Sequence, residues 1–155
     1  MKKWLFIFPV LALMIFQGGE TSPGTDIGKL QPVQVVCLSR KEDGLVIRTD
    51  TGDWGEGQSL EEAVACMKAV AKGEIFLETA EYLLLTPDCL FLVEQSAEYL
   101  RPSCSLCLLE GEPLLETVAQ FLQMHNPAVT LMEYRAQGSR LKTLKTADGR
   151  MELVS

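Results

Sequence analysis

From Ser59 to Glu110 the chain alternates stretches of helical spacing with short apolar runs, and that alternation limits the folds open to it. Ser59 followed by Glu62 is a capping-box signature. Leu60, Ala63, Val64 and Met67 then recur at the spacing of one helical face. Lys72 and Gly73 suit the end of that helix, a base near its negative pole and a glycine beyond it. Tyr82–Thr86 is apolar and stopped by Pro87, so it reads as a buried strand. Pro87-Asp88 opens a second helix through about Leu100. Arg101-Pro102 ends it, because the residue before proline is pushed out of helical dihedrals. Residues 103–110 are the next strand, and Pro113 opens a third helix with a stripe of Leu114, Leu115, Val118, Phe121 and Leu122. Strands separated by helices in this way are joined by parallel crossovers.

The flanks read differently. Residues 33–39 and 45–50 form a hairpin around Gly44, and residues 51–58, "TGDWGEGQ", read as a glycine-rich loop. Residues 128–134, "AVTLMEY", read as a strand by their apolar and β-branched content. "RLKTLKT", "ADG" and "RMELV" give a closing hairpin. Ile75–Leu77 is left open. The expected class is α/β: a mixed sheet with a central β-α-β-α-β parallel part, three covering helices and antiparallel hairpins at both ends. A chain of 155 residues suits one such domain, placed at 33–155.

Ahead of it, residues 20–32 are polar, broken by proline and glycine, and read as a flexible leading segment. Residues 1–19 read as an export signal or a membrane anchor. Lys2 and Lys3 precede an uncharged, apolar run from Trp4 to Phe16. The run is short of the roughly twenty apolar residues of a membrane span, and no cysteine follows it for lipid attachment. The expectation is a chain exported across the cytoplasmic membrane, secreted or membrane-tethered.

Net charge is −7, which argues against nucleic acid and against anionic lipid surfaces as partners. The five cysteines are an odd number, which does not suit an obligate disulfide framework. Their neighbours are apolar, so filling the core is their default use. Cys104 and Cys107 are spaced as a redox pair. They lie within a strand, however, and residues three apart in a strand point to opposite faces. A thiol–disulfide redox module using Cys104 and Cys107 remains the alternative. A metal site would need two further ligands at matching spacing. His125 is the only histidine, and the other cysteines are scattered, so neither metal nor cofactor is expected. Ser59 has no histidine to activate it, and no catalytic residue is assigned. Asp53, Trp54 and Glu56 are the candidate interaction residues. "GDWGEG" precedes a helix as phosphate loops do, but it lacks their spacing and its two acids would repel phosphate.

The segment "WGEGQSLEEAVACM", the turn "YLRPS" and the later "EGEPLLETV" resemble the N-terminal domain of the Ger(x)C family, the C subunits of spore-germination nutrient receptors. The matching positions are Gly55, Glu56, Gly57, Ser59, Leu60, Glu62 and Ala63, then Arg101 and Pro102, then Gly111 and Glu112. The resemblance spans roughly residues 30–125. Family members are longer, multi-domain lipoproteins, whereas Gly18-Gly19 stands here where Gly-Cys is expected. The resemblance implies a single-domain relative from a spore-forming bacterium, acting outside the cytoplasm by protein contact. No catalytic residues are known for the family, so none carry over.

Together these readings predict a non-enzymatic, exported or membrane-tethered protein-interaction domain linked to sporulation or germination, its partner a protein at or near a membrane. A small-molecule binding protein with a crevice at the carboxyl ends of the parallel strands is a further alternative.

Overall fold

The computed structural model describes residues 30–155. Residues 1–19, read above as an export signal or membrane anchor, and most of the leading segment lie outside the described residues. The strands are β1 (Leu30–Pro32), β2 (Val35–Lys41), β3 (Gly44–Thr49), β4 (Trp54–Gly57), β5 (Glu74–Phe76), β6 (Tyr82–Leu85), β7 (Ser105–Glu110), β8 (Thr143–Ala147) and β9 (Arg150–Val154). The helices are α1 (Leu60–Val70), α2 (Val93–Ser96), α3 (Leu115–Met124) and α4 (Leu131–Gln137).

Seven strands form one sheet in the order β4-β3-β2-β6-β7-β8-β9. The β2-β6, β6-β7 and β7-β8 pairs are parallel. The β2-β3-β4 meander and the β8-β9 hairpin add antiparallel strands at the two sides. This is the mixed α/β sheet with a parallel centre. A second, two-stranded sheet pairs β1 with β5 in parallel. Thr79 ties its base, accepting from the Val33 amide and donating to the Val33 carbonyl, both at 2.9 Å.

Strand alternation divides the core in two. Val36, Leu38, Leu83, Leu85 and Leu106 point to the face covered by α1, α2 and α4. Val35, Cys37, Leu84, Cys107 and Leu109 point to the other face, where α3 lays down Leu115, Val118, Ala119 and Leu122. A sheet whose central strands are covered on both faces reads as continuous apolar runs. That is why "YLLL" at β6 is buried at every position.

The chain changes face between α3 and α4. The Val129 carbonyl accepts from the Leu106 amide, and the Leu131 amide donates to the Cys104 carbonyl, both at 2.8 Å. These bonds serve the start of β7, while β8 pairs with its end at Leu108–Glu110.

Four expectations are corrected. Residues 128–134 are not a strand. Thr130 and Glu133 form a reciprocal capping box, and α4 begins there. Ala128 ahead of it takes φ 73°, which breaks any extended run. Residues 51–58 are not all loop, because Trp54–Gly57 pairs with β3 as the outermost strand. The long second helix is instead a 3-10 helix (Pro87–Leu92) followed by the single turn of α2. Its last turn closes through i→i+3 bonds such as Tyr99 N to Ser96 O at 3.1 Å, a tighter winding than α. Finally, the membrane reading is corrected only as far as the described residues go, because the anchor read over residues 1–19 lies outside them. Among the described residues no helix is long and apolar enough to cross a membrane. The longest, α1, has 11 residues against the roughly twenty a span requires.

Candidate functional site

The site is built on the outer strand β4, and its sequence "WGEG" explains how. Gly55 and Gly57 face α1, and there is no room beside them. A methyl group on Gly55 would collide with the Ala63 carbonyl and the Met67 amide nitrogen. One on Gly57 would come within 2.7 Å of the Ala63 nitrogen. Alternate glycines let the helix lie directly on the strand backbone, the close approach for which glycine is used inside strands. Ser59 caps that helix, accepting from the Glu62 amide at 3.2 Å, while the Glu62 carboxylate accepts from the Gln58 amide at 2.7 Å.

Period-two alternation then turns Trp54 and Glu56 to the opposite face. Trp54 is 53% exposed. Beside it the chain enters α3 through Pro113 and Leu114, and Leu114 is 73% exposed. Arg48, Asp50, Asp53, Trp54, Leu114 and Glu116 are among the residues lining an open groove of about 210 Å³ between the strand and the helix start. Arg48 lies directly across from Trp54 on β3. Its Nε is buried without a hydrogen-bond partner among the described residues.

Asp53, Trp54 and Glu56 are therefore neighbours with different roles. The Asp53 carboxylate accepts from the Thr51 hydroxyl at 2.7 Å, and its carbonyl accepts from the Thr49 amide at 2.9 Å, so Asp53 holds the turn into β4. Asp50 accepts from the Gln34 and Val35 amides at 3.0 Å and fastens that turn to β2. Trp54 and Glu56 remain on the outer face. Sequence reasoning missed Leu114 and Arg48. Leu114 counted as part of the α3 stripe, yet it lies one residue ahead of that helix. The alternation of glycine with tryptophan and glutamate was the available signal for a strand.

Cys104 and Cys107 are fully buried and belong to different cores, Cys104 under α4 and Cys107 under α3. Burial pushes each thiol up to about 12. Cys107 donates to the Lys142 carbonyl at 3.2 Å. Two thiols on opposite sides of one strand do not meet, and neither supplies a thiolate near neutral pH. Cys37 and Cys89 are also buried, their thiols raised by desolvation, and all five cysteines are free. Cys66 on α1 is half-buried. His125 caps α3, stacked on Phe121 with ring centroids 4.4 Å apart. Among the described residues no group of three or more His, Cys, Asp or Glu side chains is placed to hold a metal.

The "GEG-x-S-L-x-E-A" run thus has a complete physical account as an outer strand with a capped helix laid on it. No family model, curated protein or solved structure matches the chain.

Proposed function

We propose that the chain is a non-enzymatic, exported protein-interaction domain, and that Trp54 on β4 is the centre of its binding surface. The observation that carries this reading is the exposure of Trp54 beside Leu114, two large apolar side chains flanking one groove on a chain of net charge −7. Tryptophan is among the residues that dominate binding energy at protein interfaces. The similarity of Gly55–Ala63 and Arg101-Pro102 to the Ger(x)C pattern favours a role in sporulation or germination.

The test is site-specific photo-cross-linking in the producing cell. A photo-reactive residue in place of Leu114 is expected to capture one protein partner. The same residue in place of Met124, exposed at the far end of α3, is expected to capture none. Trp54→Ala is expected to abolish the adduct at 114. Equal labelling from both positions, or none from 114, overturns the proposal.

A further inference from the structure

The outer row of backbone groups on β4 has a definite phase. Opposed residues in an antiparallel pair alternate between bonded and non-bonded. The Thr49 amide donates to the Asp53 carbonyl, so Thr49 and Asp53 are a bonded pair. Arg48 and Trp54 are then non-bonded, Ile47 and Gly55 bonded, and Val46 and Glu56 non-bonded. The N–H and C=O groups of Trp54 and Glu56 therefore point away from β3, to the side where, among the described residues, the seven-stranded sheet has no further strand.

The two edges of the sheet are not alike. Natural edges are blunted with charge. On β9, Arg150 and Glu152 are both exposed and alternate with the half-buried Met151 and Leu153. On β4 the exposed pair is Trp54 and Glu56, and glycines held against α1 keep the strand backbone in place. An edge with an exposed tryptophan and a fixed backbone has the form of a template for another strand.

Charge selects the occupant. Glu56 on the outer face, Asp50 and Asp53 before the strand and Glu116 across the groove give the surface four carboxylates beside the guanidinium of Arg48. A second copy of this chain would bring the same carboxylates and another net charge of −7 to the edge. We infer that β4 accepts an extended, basic segment of a partner protein as an added strand, an apolar side chain of that segment lying on Trp54 and a basic one opposite Glu56. The inference rests on the proposal that this surface binds protein, and adds the mode and the chemistry.

The probe is the capped peptide Thr-Lys-Thr-Val-Thr-Lys-Thr, which sets valine and both lysines on one face. It is titrated into the full chain and followed by amide NMR and hydrogen exchange. Binding is expected to slow exchange at the Trp54 and Glu56 amides at least about tenfold, with Gly55 and Gly57 already protected. N-methylation of the valine and lysines is expected to abolish binding, and N-methylation of the threonines to leave it. Glutamate in place of lysine is expected to weaken it at least about tenfold, as like charge facing like does. Binding without protection of Trp54 and Glu56 overturns strand addition, and so does indifference to which residues are N-methylated. Equal binding of the glutamate peptide overturns the basic segment. Absence of binding at millimolar peptide overturns the inference, while a persisting cross-link from position 114 would leave the binding surface standing without it.

Discussion

Trp54 and Arg48 stand directly opposite each other across the β3–β4 pair, at a position where the strands exchange no hydrogen bonds and side chains lie closest. Trp54 is half exposed and Arg48 half-buried, and both line the groove. A cross-strand pair of this kind contributes about 0.2–1 kcal/mol. Trp54→Ala is therefore expected to lower stability by no more than about 1 kcal/mol in urea denaturation. Loss of partner binding in that variant then reports a lost contact. A fall several times larger would show the indole to be structural.

Gly55→Ala is expected to behave in the opposite way. The added methyl meets backbone atoms of α1, which have no rotamer to escape into. Overpacking against a fixed backbone costs about 1–3 kcal/mol, and the upper end applies here. Gly52→Ala is the contrast. Its φ of 86° disfavours alanine, but nothing lies within 4 Å of the new methyl, so its loss comes from backbone strain alone. Circular-dichroism melts of the two variants read the difference.

Alkylation of the folded protein is expected to modify Cys66 alone, on the exposed shoulder of α1. Cys37, Cys89, Cys104 and Cys107 react only after denaturation. Mass spectrometry of the alkylated peptides, with and without reductant, checks this. Joint, reductant-dependent labelling of Cys104 and Cys107 in the folded chain would contradict their separation into two cores.

Alkaline pH is expected to destabilise the fold through the same buried thiols. Cys104 and Cys107 hold their protons to about 12 in the folded chain, against the ordinary thiol value of 9.0. Below about 9 both states are protonated and the thiols add no pH dependence. Above it the unfolded chain ionises while the folded one does not, so the unfolded chain binds fewer protons and stability falls as pH rises. The slope is on the order of 1 kcal/mol per pH unit for each thiol. Urea midpoints between pH 8 and 10.5 measure it. Cys104→Ala/Cys107→Ala is expected to flatten the slope, although each cavity lowers the starting value.

The sheet and its parallel centre were legible because the central strands obey simple rules. Cys104 and Cys107 were assigned to opposite faces on spacing alone, and they lie in different cores. Ser59 and Glu62 marked the start of α1. The same signal, Thr130 with Glu133, was present in "AVTLMEY" and was outweighed by apolar content, although a reciprocal cap is the more local and stronger constraint there. The glycines of "GDWGEG" were read as freedom to turn. In the fold Gly52 does turn, at φ 86°, but Gly55 and Gly57 are places where a helix touches a backbone, which depends on what packs from elsewhere in the chain. For the same reason Leu114 joined a helical stripe, although its exposure depends on where β4 lies.

The passage from Ala128 to Leu131 carries the chain from one side of the sheet to the other, and it does so while bonded to the first half of β7. α3 lies before the passage and α4 after it, on opposite faces of β7. The two hydrophobic layers are thus tied together by this passage as well as by the strands they share. A nick at Asn126-Pro127 is therefore expected to loosen the packing of both layers, whereas a nick in the Asp148-Gly149 turn is expected to loosen only the last strand.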